Sequence, residues 1–256
     1  MAEAAHKATV TAVHHYTDSL FKFRTTRPKS LRFDSGQFIM LGLIIDDKPV
    51  MRAYSMANPS WDDEFEFFSI KVQDGLLTSK LQHIKVDDEI LFSAKAVGNL
   101  TLKSLRPGKR LFLLSTGTGI APFGSIIRDP ETYKTFDSAY LTHTCRMVNE
   151  LQYGYDLMKN VESDPLCSEF FPKLKHYATT TRELHERQGR ITDLIKNGTF
   201  FKDLEISPFN PEHDRVMLCG SMPFNKDMKK ILEKDGFVEG AAREAGDYVL
   251  ERAFVG

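Results

Sequence analysis

A chain of 256 residues carries 34 Lys and Arg against 35 Asp and Glu, a formal net charge of -1. No field of one sign covers the molecule, which argues against a nucleic-acid binder and against a membrane-surface protein. The three cysteines, Cys145, Cys167 and Cys219, are too few and too scattered for a disulfide framework or a four-thiolate iron-sulfur or zinc site, so no metal centre is expected and any iron-sulfur cluster would sit on a partner. The N-terminal residues lack the apolar core of a signal peptide, and no stretch approaches the roughly 20 apolar residues of a membrane span, so a cytoplasmic protein is expected.

The length suits two medium domains, each with its own core. From Ala8 to about Leu102 the pattern is mostly of period two, and candidate strands fall at Ala8 to Tyr16, Leu20 to Thr26, Gln37 to Ile45, Val50 to Met56, Phe65 to Val72 and Glu89 to Ala94. Six short strands with only one helix among them, Leu76 to Ile84, predict a closed antiparallel six-stranded β-barrel. Past Arg106-Pro107-Gly108-Lys109 the texture changes. Apolar strands near Arg110 to Leu114, Ser138 to His143, His176 to Thr181, Arg215 to Leu218 and Asp247 to Leu250 alternate with helical segments, which predicts an α/β doubly wound parallel sheet. The expected domains are therefore 1-105 and 106-256.

Within the first half, Arg52-Ala53-Tyr54-Ser55 closes a strand, and alternation points Arg52 and Tyr54 to one side. Gly75-Leu76-Leu77-Thr78-Ser79 opens the helix, whose free N-H groups suit an anion; Thr78 and Ser79 equally suit a helix cap. In the second half, the buried run Leu111 to Leu114 breaks into Ser115, Thr116, Gly117, Thr118, Gly119, Ile120, Ala121 and Pro122. Paired glycines after a buried strand let backbone N-H groups approach a phosphate, and Pro122 is comfortable in the first turn of a helix. The next strand ends in Thr142-His143-Thr144-Cys145-Arg146, with an arginine where an NAD site would place a ribose-binding acid; a guanidinium pairs well with a 2'-phosphate.

The Arg-x-Tyr-Ser segment, the Gly-Thr-Gly-x-Ala-Pro turn, the turn Cys219-Gly220-Ser221-Met222-Pro223 and the end Glu251-Arg252-Ala253-Phe254-Val255-Gly256 occur in a fixed order. From about residue 7 onward this order resembles the bacterial branch of the ferredoxin:NADP+ reductase family. The resemblance implies FAD in the barrel and NADP(H) on the parallel sheet. By resemblance Arg52 holds FAD phosphate, Tyr54 packs on the isoalloxazine and Ser55 lies near N5. Ala53, Ser69, Ile70, Lys71, Val72, Gly75, Leu76, Leu77 and Thr78 would add FAD contacts. Thr116, Gly117, Thr118, Gly119 and Pro122 would take the NADP phosphates, Arg146, Arg182 and Arg190 the 2'-phosphate, and Gly220 and Met222 would complete the cofactor contacts. Ser55, Cys219, Glu251 and Ala253 would form the catalytic group, with Cys219 shaping the nicotinamide pocket. Ala253 stands where plastid-type relatives have a flavin-covering aromatic residue, and Phe254 would pack on the FAD adenine.

Each residue has a plainer reading: an edge strand with a half-buried tyrosine, solvated arginines, a thiol serving as a small hydrophobe, a surface ion pair at Glu251. The segment Lys22, Arg24, Arg27, Lys29 and Arg32 reads either as a docking patch for an acidic carrier or as a protected hairpin edge. The expectation is an FAD enzyme, a monomer, exchanging hydride with NADP(H) and single electrons with ferredoxin or flavodoxin. A flavin reductase or diaphorase, or a flavin-binding electron-transfer subunit without turnover of its own, are the alternatives.

Overall fold

The computed structural model describes residues 6-72, 74-241 and 244-252. Six strands form the first sheet: β1 (His6–His15), β2 (Leu20–Thr26), β3 (Phe38–Ile45), β4 (Lys48–Ser55), β5 (Glu64–Ile70) and β6 (Glu89–Phe92), in the order β4-β3-β6-β1-β2-β5. Every pairing is antiparallel. The β3-β4 hairpin turns on Asp46 and Asp47, both at positive φ, as a two-residue turn matched to strand twist requires. The barrel does not close by a continuous ladder. Its edge strands meet just past the end of β4, where the Ala57 N-H donates to Glu66 O at 2.8 Å, and through the 3.2 Å contact between the Tyr54 and Ser69 hydroxyls.

The one α-helix among the described residues of this half, α1 (Thr78–Leu81), is shorter than the sequence predicts and has no side-chain cap at Leu77. The Thr78 hydroxyl bonds back to Val72 instead, tying the turn to the end of β5, so the helix-cap reading of Thr78 is corrected.

The second sheet comprises β7 (Arg110–Thr116), β8 (Ser138–Cys145), β9 (Leu174–Thr180), β10 (Asp214–Gly220) and β11 (Tyr248–Arg252), all parallel, in the order β11-β10-β7-β8-β9. Its strands are buried on both faces, which is why they read as continuous apolar runs rather than alternations. Successive residues serve different layers. Leu111 and Leu113 pack with α2 (Ala121–Ile126), α3 (Pro130–Thr135) and α4 (Gln152–Ser163), whereas Phe112 and Leu114 face α5 (Ile191–Lys196), α6 (Thr199–Asp203) and α7 (Met222–Lys234). At the start of β7 the Arg110 guanidinium forks onto the fully buried Asp214 of β10, with both N-H···O distances 2.6 Å.

One apolar cluster spans the two halves, beside a core proper to each. On β5, Phe65 and Phe67 point into the barrel, while Phe68 points the other way and stacks on Tyr153 of α4 at 3.9 Å between centroids. Tyr16 sets its edge against both rings, and the Tyr153 hydroxyl reaches Glu66 at 3.4 Å. Trp61, to which the sequence assigns no role, donates to Arg128 O and lies under the Arg128 guanidinium at the same seam.

Candidate functional site

In a parallel sheet, ligands bind where the strand order reverses, outside the carboxyl ends of the strands. Here β7 leads to β8 and β9 on one side, while β10 and β11 lie on the other, so the reversal falls between β7 and β10. The backbone after β7 turns through Gly117–Ile120 as a 3-10 turn and enters α2 with Pro122 in its first turn. Gly117 holds φ +54, a conformation that favours glycine. Gly119 is required for space, because a Cβ there would stand 2.1 Å from Cys219 O. Across the crevice the Thr116 hydroxyl accepts from the Ser221 N-H at 3.2 Å, close against Gly220.

Beside this crevice lies a cavity of about 730 Å³ bordered by both halves of the chain. The barrel contributes Arg52, Ala53, Tyr54 and Ser55 from β4, Ser69 and Ile70 from β5, and the turn with Val72, Gly75, Leu76, Leu77 and Thr78. The parallel sheet contributes Thr118, Cys219 and Glu251. Tyr54 packs edge-on against Phe23 and Phe67, which fixes its ring, and burial raises its hydroxyl above the ordinary pKa. Arg52 is exposed, with one N-H on Met51 O and no other hydrogen-bond partner among the described residues, so the rest of its fork can meet an anion. Lys71 sits next to this group without bordering the cavity.

Glu251 lies on β11 in register with Cys219 on β10. Its carboxylate takes the Asn99 N-H at 2.6 Å, has no cationic partner among the described residues, and is pushed up to about 7 by burial, against the lowering effect of the Asn99 and Leu100 N-H groups. The surface ion-pair reading of Glu251 is thus corrected. The Cys219 thiol is buried, and desolvation followed by the charge of Glu251 raises its pKa, which disfavours the thiolate.

Away from the cavity, Arg146 follows β8, and Arg182 and Arg190 follow β9; all three are exposed. The Arg182 N-H donates to Arg146 O at 3.0 Å, placing two of them side by side beyond adjacent strand ends, and Arg190 precedes α5. Met222 opens α7 and is exposed. Ala253 and Phe254 lie outside the described residues. Phe38, Phe68, Asp74 and Ala121 also border the cavity and were missed by sequence reasoning. Phe38 pairs with Ser55 across β3 and β4, so hairpin register would have found it; Phe68 shares a strand face with Ile70.

Residues 8-100 match the family model described as an oxidoreductase FAD-binding domain. A flavodoxin/ferredoxin-NADP reductase of Rhodobacter capsulatus is 56% identical over 250 residues, covering 97% of this chain and 93% of that one. A ferredoxin-NADP reductase of Azotobacter vinelandii is 48% identical over 248 residues, 96% of each chain. The chain belongs to the ferredoxin/flavodoxin-NADP reductase family. Among solved structures, a ferredoxin NADP+ reductase from Neisseria gonorrhoeae with bound FAD and NADP superposes with a TM-score of 0.89 at 30% identity, covering 98% of this chain and 99% of that one.

In this member of the reductase family the hairpin-edge reading of the basic segment is corrected, since β2 runs between β1 and β5, and most of its cations are paired. Arg24 is committed to Asp62, Glu64 and Glu66, Lys22 lies 4.0 Å from Glu66, and Arg27 donates to Leu31 O, Ser60 O and Asp62 O while lying over Phe33. Only Lys29 and Arg32 of the five are fully exposed. Arg24→Glu is therefore expected to set four carboxylates together and to lower the melting temperature by roughly 4-12 °C, the scale of a 2-3 kcal/mol loss in a chain this long. Lys29→Glu with Arg32→Glu should leave it within about 1 °C, a difference that a thermal melt of each variant reads directly.

Proposed function

We propose that the protein exchanges hydride with NADP(H) at a bound FAD and passes single electrons to or from ferredoxin or flavodoxin. The observation that carries this reading is the convergence on one cavity of Tyr54 and Ser55 from the barrel with Thr118 and Cys219 from the switch point of the parallel sheet and Glu251 from the adjoining β11. The residues present fit FAD. The cavity has an aromatic side, an arginine with free donors at its rim, and a tight turn at Gly75 where a Cβ would stand 2.4 Å from the Thr78 hydroxyl. Bound there, FAD supplies the interconversion of two-electron and one-electron chemistry that no side chain of the protein offers.

In this reading Arg52 and the turn Gly75 to Thr78 hold the pyrophosphate, Tyr54 lies on the ring, Ser55 meets its polar edge, and Ala53 and Ser69 to Val72 line its border. Thr116 to Gly119 and Pro122 receive the NADP phosphates, Gly220 and Met222 flank the nicotinamide, and Arg146, Arg182 and Arg190 take the 2'-phosphate. Cys219 excludes water from the place where the two rings meet. Glu251 holds or releases a proton beside it. The division of labour follows the chain, with residues 1-105 for FAD and 106-256 for NADP(H). The protein is proposed to act as a monomer in the cytoplasm; among the described residues no helix is long and apolar enough to cross a membrane.

The test is chemical. Acid release and chromatography should yield one FAD per chain, and anaerobic NADPH should bleach the flavin and then reduce added ferredoxin or flavodoxin. Bleaching with electron delivery only to free flavin or small quinoids would replace the carrier assignment by a diaphorase; FMN in place of FAD would overturn the barrel assignment.

Glu251 gives this proposal a pH signature. Its folded-state pKa, about 7, lies above its ordinary value of 4.5, so between those values the folded state holds a proton that the unfolded chain has released. Stability is therefore expected to fall as pH rises from 4.5 to 7 and to level off above, by up to about 3 kcal/mol at 1.36 kcal/mol per unit. Denaturant titrations of wild type and Glu251→Gln over this range should differ in slope, and parallel curves would reject the assignment.

A further inference from the structure

His143 lies fully buried beneath the turn after β7. It sits on β8 directly beside Ser115, the penultimate residue of β7. Its Nε2 is 3.1 Å from Gly117 O. A carbonyl oxygen only accepts, so Nε2 carries the proton and Nδ1 is bare. The same nitrogen is 3.1 Å from Cys145 Sγ, and the thiol's own donor direction is taken by Glu150 O at 3.7 Å. The imidazole cannot turn over to present its other nitrogen without abandoning Gly117. Gly154 of α4 closes the opposite side, since a Cβ there would stand 2.7 Å from His143 Nδ1.

The partner of this donor matters because Gly117 O and the Thr118 N-H belong to one planar trans peptide and point in opposite directions. Fixing the carbonyl on the buried imidazole aims the Thr118 N-H away from it. Gly117 has φ +54 and nothing within 4 Å of where a Cβ would be, so no side chain at this position helps to hold the peptide, whose carbonyl also belongs to the 3-10 turn Gly117–Ile120. The ring beneath supplies what the glycine lacks.

We propose that His143 is a positioning residue for nucleotide binding: its Nε2-H sets the Gly117-Thr118 peptide so that the turn presents its N-H groups to the dinucleotide pyrophosphate. This rests on the reading of Thr116 to Gly119 as the phosphate site. It adds a residue that touches no cofactor atom and a consequence that the arginines do not share. The pyrophosphate is common to NADPH and NADH, so His143 acts on both alike.

The test compares His143→Gln, whose amide N-H reaches about as far as Nε2-H, with His143→Asn, whose shorter amide does not, and with His143→Leu. Both amides impose the same burden of burying a polar group, so lost stability alone would penalise them equally. NADP+ is titrated into each FAD-loaded variant and followed by the flavin absorbance difference. The dissociation constant is expected to rise roughly 3- to 10-fold in Asn and Leu, the scale of one neutral hydrogen bond, and to stay within about 2-fold in Gln. FAD content should be retained and the NADPH:NADH ratio of kcat/KM unchanged in all three. Equal weakening in Gln and Asn, no weakening in Asn and Leu, or a shifted NADPH:NADH ratio would overturn the proposal. Gly117→Val separates the two levels. If it binds NADP+ as wild type does, the phosphate site itself is misplaced; if it weakens binding while Asn and Leu do not, only the role of His143 falls.

Discussion

Converting Arg182 to alanine is expected to lower kcat/KM for NADPH by one to two powers of ten while leaving NADH nearly unchanged. The 2'-phosphate is present on only one of the two cofactors, and a charge-assisted hydrogen bond to it contributes about 1.5-3 kcal/mol. Arg182 and Arg146 stand together because the Arg182 N-H bonds to Arg146 O, and Glu150 secures that corner by accepting the N-H groups of Arg146 and Met147 at 2.8 and 3.0 Å. Arg190 arrives after a return of the chain in which the Gly189 N-H bonds to Thr180 O at 2.8 Å. The decisive quantity is the ratio of kcat/KM for the two cofactors in wild type and in each arginine variant. A ratio unmoved in all three would remove the NADP assignment and leave the flavin assignment standing, since that rests on Tyr54 and its neighbours.

Tyr153→Ala should be the most destabilising change outside the site, by about 3-5 kcal/mol, because it empties a fully buried position and strips the stacking partner from Phe68. In a chain of this length that corresponds to a melting temperature lower by roughly 6-20 °C. Tyr153→Phe keeps the ring contact and forfeits only the 3.4 Å reach to Glu66, so its loss should stay within about 1 kcal/mol. A functional change should accompany the first variant. The stack holds β5, whose end borders the flavin cavity, against α4 of the other layer, and loosening it should slow flavin reduction by NADPH at temperatures where the variant is still folded. Thermal melts and stopped-flow reduction at 15 °C read the two effects separately; normal stability in Tyr153→Ala would show that this ring does not bind the halves together.

Strand positions were legible because period and burial agree. Leu20 to Thr26 matches β2 to the residue, and the run Leu111 to Leu114 marks β7 although the strand extends to Thr116. The same logic failed at α1, where Leu76 to Ile84 has helical spacing but the Thr78 hydroxyl prefers Val72 and the helix ends after one turn. The basic segment misled for a different reason. The segment from Lys22 to Arg32 contains no acid, yet β2 pairs with β5 in a register that sets Arg24 opposite Glu66 and Thr26 opposite Glu64. Charge balance there is a property of strand pairing, which no local window contains. Glu251 shows the same limit: its acid was visible, but its environment comes from Asn99 and Leu100, about 150 residues earlier.

The strand order β11-β10-β7-β8-β9 also dictates when the site can exist during synthesis. β7 gains its first neighbour, β8, early, but its other edge stays unpaired until β10 emerges about 100 residues later, and Glu251 arrives only with β11. Pairings this distant in sequence form slowly and leave an apolar strand edge open in the interval. The barrel, whose strands end by Phe92, is complete long before. A chain cut before Tyr248 would therefore carry a finished barrel and lack the strand that brings Glu251. The cavity thus closes only when β11 pairs with β10, well after the barrel strands that border it have formed.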